Sequence, residues 1–136
     1  MTPPGVLETV LYVDDHKVAR QFYSDVFGLE PFRIIEGRDM FFRFGNRFLL
    51  VINAEVTRVP AEGAAVIVPT HGAVGIGHVC FCAGADEIAN WREHVIDLAV
   101  EIEADFEWPQ GGRSIHFRDP SGNSLEFAEP RIWGLQ

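Results

Sequence analysis

The chain carries one order of elements twice, and this repeat limits its folds more than any single motif does. A segment from about Ala54 to Val74 is punctuated by Pro60, Gly63, Pro69 and Gly72, as connecting stretches are. In the half before it, residues 7–13 alternate as a strand. Residues 15–27 then repeat at helical spacing through Val18, Phe22 and Val26, and Gly28 is placed to stop the helix. Three strand-like runs follow, about 30–36, 39–44 and 47–53, parted by Gly37 and Gly45-Asn46. The half after it repeats the pattern. A strand at 77–82 precedes a helix over about 86–99 with Ile88, Trp91, Val95 and Leu98 on one stripe. Strands at about 100–107, 113–118 and 123–129 complete it, parted by Gly111-Gly112 and by Pro120 to Gly122. Each half reads β-α-β-β-β, which alone is too small to bury both faces of its sheet. The fold class expected is α+β: two such modules forming a partly closed, barrel-like sheet with helices outside. Residues 1–136 are expected as a single domain, with modules at about 6–53 and 75–130, a linker at 54–74 and a tail at 131–136.

Composition narrows the function classes. A chain of 136 residues that is 47% hydrophobic has enough apolar surface for a core. The formal net charge of -9 makes nucleic acid or an anionic membrane a poor partner. Cys80 and Cys82 sit two apart on one strand face, poorly placed for a disulfide, and suit a reducing compartment. The start has no basic segment followed by an apolar run, so no signal peptide is read, and a cytoplasmic location is expected.

The polar residues on the strands point to a site. Strand parity puts Glu8, Val10 and Tyr12 on the side of the first strand away from the helix. It does the same for His78, Cys80 and Cys82 in the matched strand, and for Glu126 in the last. Glu8 and His78 stand at matched places, and the repeat is expected to draw Glu8, His78 and Glu126 to one point. Taken singly, Glu8 reads as a solvated strand residue. Together, two carboxylates and an imidazole suit a divalent metal with open positions for water or substrate. Matching Gly45 to Gly122 makes Leu49 the counterpart of Glu126, an apolar residue that cannot bind metal. Arg47 and Arg113 are candidates to fork onto a substrate carboxylate. Tyr12, Leu49 and His116 are candidates to line the substrate site. Cys80 and Cys82 read as small apolar residues rather than soft ligands.

The whole chain resembles the vicinal oxygen chelate superfamily, the group of glyoxalases, bleomycin-resistance proteins and extradiol dioxygenases. The resemblance rests on Leu7-Glu8 through Tyr12-Val13-Asp14-Asp15 and on Phe22-Tyr23-Ser24-Asp25-Val26-Phe27-Gly28-Leu29. Gly77-His78-Val79 and Asp119-Pro120-Ser121-Gly122-Asn123-Ser124-Leu125-Glu126 complete it. It implies a metal held by the first, fifth and eighth strands, here Glu8, His78 and Glu126, and sometimes also by the fourth. It implies a small-molecule substrate with two neighbouring oxygens, and a homodimer. The ion expected is one of Mn, Fe, Ni, Co, Zn or Mg, and one ligand carboxylate, Glu8 or Glu126, is expected to leave it to act as base. Lyase or isomerase chemistry and dioxygen insertion are both open. The alternative is a metal-free protein that binds a drug or metabolite.

Overall fold

The structure, a computed structural model, describes residues 1–136. The chain folds as two compact units, Met1–Gly75 and Ile76–Gln136. Each is a β-α-β-β-β module with a four-stranded mixed sheet, as the repeat predicts. The first unit contains β1 (Glu8–Val13), α1 (His16–Phe27), β2 (Arg33–Ile35), β3 (Asp39–Phe44) and β4 (Arg47–Asn53) in the sheet order β1-β4-β3-β2. A single helical turn, α2 (Ala54–Thr57), follows within the stretch read as linker. The second unit contains β5 (His78–Cys82), α3 (Ala85–Asp97), β6 (Ala104–Glu107), β7 (Arg113–Arg118) and β8 (Ser124–Ala128) in the order β5-β8-β7-β6. In both, the first strand runs parallel to the last, and the other pairings are antiparallel.

Local signals explain the helix limits. Asp15 caps α1 by accepting a hydrogen bond from Val18 N, a device that contributes about 1 kcal/mol. Gly28 ends α1 in the left-handed conformation. The face α1 buries is His16, Ala19, Tyr23 and Val26, whereas Val18 of the expected stripe stays 47% exposed. The true stripe follows i, i+3, i+7, i+10 and lays Tyr23 over Phe42, ring centroids 6.0 Å apart. In α3, Ile88 and Val95 are buried and Trp91 stacks on Phe127 at 4.3 Å and 12°. The helix stops at Asp97, two residues before its expected end, because Ala99 turns left-handed at φ 59°.

The hairpin between β7 and β8 fixes the second sheet. Asp119 Oδ1 accepts from Ser121 N at 2.9 Å and Asn123 N at 2.8 Å, while its Oδ2 accepts from Asn123 Nδ2 at 2.8 Å. Gly122 supplies the φ of 86° that the reversal needs. Asn123 Oδ1 then accepts from Gly77 N at 2.8 Å, tying the entry of β5 to the entry of β8. Asp119 and Asn123 are 4% and 1% exposed, and the two bonds between them are made away from water. Past β8, Pro130–Trp133 forms a 3-10 turn that buries Ile132 beside Gly112. Replacing Asn123 with Ala removes the acceptor of the Gly77 N–H and a buried donor to the Asp119 carboxylate. We expect Asn123→Ala to destabilise the protein by about 2–4 kcal/mol, read as a lower urea midpoint.

Candidate functional site

In the second sheet the ladder builds a polar row. Cys80 of β5, Glu126 of β8 and His116 of β7 stand directly opposite one another and share a face. The next row holds His78, Ser124 and Arg118 on the same face. The other face carries Val79, Phe81, Ile115, Phe117, Leu125 and Phe127, against which α3 packs through Trp91. Parity therefore separates the polar rows from the core in this unit.

Glu126 is the centre of the row. It is 6% exposed, and its Oε2 lies 3.4 Å from His78 Nε2 and 3.5 Å from His116 Nε2. Its Oε1 is buried with no hydrogen-bond partner. His78 Nδ1 lies 3.0 Å from the Ser124 carbonyl oxygen, which can only accept, so Nδ1 carries the proton. In the neutral ring the Nε2 lone pair then faces the carboxylate. Two acceptors set face to face repel unless a proton or a cation comes between them. A backbone carbonyl that fixes an imidazole in this way is common for metal-binding histidines. The donor chemistry thus fits a divalent ion at His78 and Glu126. These side chains do not by themselves close a cluster of three donors.

Cys80 is exposed as a residue, but its thiol is hemmed in by the sheet. Burial of the sulfur, and then the Glu126 charge beside it, push the thiol up to about 12 from an ordinary 9.0. It stays protonated, in keeping with its reading as a small apolar residue.

The remaining sequence candidates fall as follows. Glu8 is exposed at the start of β1, opposite Phe48, and shares its face with Val10 and Tyr12. Tyr12 hydroxyl meets His71 Nδ1 at 2.7 Å, a partner on an irregular segment that no sequence signal announced. Arg47 is exposed at the start of β4, its guanidinium against Gly5. Leu49 differs from its expected placement. It lies on the helix-facing side of the first sheet, opposite Phe42, and is 2% exposed. The register pairs Glu8 with Phe48 and His78 with Ser124, which makes Leu50 the counterpart of Glu126. Arg113 also lies on the helix side, forked onto Asp105 through Nε and Nη2 at 2.8 Å each. Arg92 of α3 shares that carboxylate, and the paired guanidinium groups hold Asp105 below the usual carboxylate range. Arg118 is the arginine on the Glu126 face; it pairs with Glu103 and lines with it a cavity of about 400 Å³.

The chain belongs to the glyoxalase/bleomycin resistance protein/dioxygenase superfamily, whose family model matches residues 5–127. Among solved structures it is similar to lactoylglutathione lyase from Agrobacterium tumefaciens. The two share 38% identity and a TM-score of 0.90 over 99% of this chain and 100% of that one. A glyoxalase-related enzyme from Fulvimarina pelagi matches in fold at 19% identity and a TM-score of 0.71, over 98% of this chain and 94% of that one. An integron cassette protein from the mobile metagenome of the Halifax Harbour sewage outfall matches at 18% identity and a TM-score of 0.72, over 93% and 99%. No curated protein sequence matches the chain closely enough to count as a relative. No helix is long and apolar enough to cross a membrane.

The Cys80 environment predicts its reactivity. In metal-free Cys82→Ser protein at pH 9, about one Cys80 thiol in a thousand is ionised, against about half of ordinary thiols. Alkylation by iodoacetamide should run at least about tenfold slower than in the same protein unfolded in urea. Adding Glu126→Gln should speed it, because the neighbouring charge is gone. Equal rates folded and unfolded would contradict the assignment.

Proposed function

We propose that this protein is a divalent-metal-dependent enzyme acting on a small molecule that presents two neighbouring oxygens. The observation that carries this reading is the confrontation of the His78 Nε2 lone pair with the buried Glu126 carboxylate at 3.4 Å. His78 and Glu126 would hold the ion, with Glu8 as the further ligand read from the sequence. The candidate ions are Mn, Fe, Ni, Co, Zn and Mg, all compatible with imidazole and carboxylate oxygen donors. When bound, the ion would draw charge from substrate oxygens and so stabilise an enolate-like species.

Lyase or isomerase chemistry is favoured over dioxygen insertion, on the strength of the relative that is 38% identical and named a lactoylglutathione lyase. In that chemistry Glu8 or Glu126 takes a proton from carbon beside a carbonyl and returns it to the neighbouring carbon. Tyr12 and His116 are the substrate-contact candidates of this reading, and the homodimer and cytoplasmic location belong to it too. Leu49, Arg47 and Arg113 drop out of it, since all three stand on helix-facing sides of their sheets.

A metal-free binding protein is the second reading, since the matched superfamily also takes in bleomycin resistance proteins. Metal analysis of protein purified without chelator separates the two. The first reading expects close to one equivalent of metal, falling below about a tenth in Glu126→Gln. Less than a tenth of an equivalent in the parent protein, with none taken up on reconstitution, would establish the second. In an assay of lactoylglutathione formation or breakdown, Glu8→Gln should lower turnover by about a hundredfold or more while metal content holds. Full activity in that variant would remove Glu8 from the base role.

A further inference from the structure

Two imidazoles stand on the Glu126 face; the metal reading takes His78 as a ligand, and the second, His116, meets the same carboxylate. His116 stands directly opposite Glu126 in the β7–β8 ladder, with Nε2 3.5 Å from Oε2. Its ring is held flat between two others. Phe106 stacks on it with centroids 5.5 Å apart at 10°, and His78 lies near parallel at 6.5 Å and 15°. Its Nδ1 is buried and has no hydrogen-bond partner. These facts fix the tautomer. A proton on Nδ1 would be an unpaired buried donor, and Nε2 would then set a lone pair against the carboxylate. A proton on Nε2 leaves only an unpaired acceptor at Nδ1, which costs less, and directs an N–H at Glu126.

Resting on the metal reading above, we propose that His116 is a positioning residue for Glu126. Its Nε2–H, held in place by the Phe106 stack, restrains the carboxylate from the β7 side and keeps it turned for the ion. The two histidines on this face divide the work by tautomer. His78 is protonated on Nδ1 and offers a lone pair at Nε2, whereas His116 is protonated on Nε2 and offers a hydrogen. Hydrogen-bonded supports of this kind change metal affinity by about 10–100-fold when removed.

The test needs variants that keep the stack and change only the polar edge. His116→Phe retains an aromatic ring against Phe106 and removes the N–H. His116→Gln restores an N–H donor on a side chain of similar reach. Binding of Mn²⁺ and Zn²⁺ to the purified full chain is measured by calorimetry, with urea unfolding of the metal-free variants alongside. The expected result is an affinity loss of about 10–100-fold in His116→Phe, partial recovery in His116→Gln, and stoichiometry unchanged. Proton-detected nitrogen NMR of the metal-free protein should show His78 protonated at Nδ1 and His116 at Nε2. Affinity within twofold of the parent in His116→Phe, or equal loss in both variants, would overturn the positioning role while leaving the metal intact. Failure of the parent protein to bind any of the six candidate ions would instead sink the metal reading.

Discussion

The side-chain amide of Asn123 bonds in two directions. Its NH₂ reaches back to the Asp119 carboxylate across the turn, and its carbonyl oxygen takes the backbone N–H of Gly77. The second contact joins segments 46 residues apart in sequence. Parallel strands have no hairpin to set their register, so β5 and β8 need some other device to align them. This amide lies one residue before His78 on one strand and one before Ser124 on the other. From that start the ladder brings the Ser124 carbonyl to His78 Nδ1 and Glu126 to His78 Nε2. A slip of one residue would turn Glu126 into the core and Leu125 out of it. The turn motif is thus the structural source of the site's chemistry, although none of its side chains joins the polar row.

The site is electrostatically unfinished. A buried carboxylate usually has each oxygen satisfied by a donor or a cation. Glu126 has one oxygen between two imidazoles and the other without a partner. The contrast with Asp105 is instructive. That carboxylate is gripped by Arg113 and Arg92 on the helix side and held well ionised, so its binding capacity is used up in the fold. Asp119 is likewise spent on the turn. Among these carboxylates of the second unit, Glu126 is the one with capacity left.

Much of this was legible in the sequence, for reasons that differ by element. The hairpin strands β3, β4 and β7 are bounded by glycine turns and show clear alternation, and their limits match the expected ones. The edge strands were read too long: β2 holds only Arg33–Ile35 and β6 only Ala104–Glu107, because an edge strand pairs on one side and frays where its partner ends. The misplacement of Leu49 has a simple cause. Two residues, Gly45 and Asn46, join β3 to β4, whereas five, Asp119 to Asn123, join β7 to β8. Aligning the glycines of unlike turns shifts the count by one, and one residue in a strand changes the face. Counting from the β7–β8 turn would have set His116 opposite Glu126. By contrast, the Ser124 carbonyl that orients His78 is backbone, and the His71 partner of Tyr12 lies on an irregular segment; residue type encodes neither.

The corrected register also says what the first unit became. Where the second sheet sets Cys80, Glu126 and His116 in a row, the first sets Val10, Leu50 and Phe41. Around Phe41 that unit gathers Phe32 and Phe48, with the Arg33 guanidinium over the Phe41 ring at 5.1 Å. One backbone plan therefore holds a hydrocarbon version and an ionic version of the same cross-strand triplet. The frame is indifferent to which it carries, since both rows stand on the face away from the helix-packed core. Exchanging one row for the other is then a matter of three side chains, and descent within such a scaffold can change the polarity of this face without refolding anything.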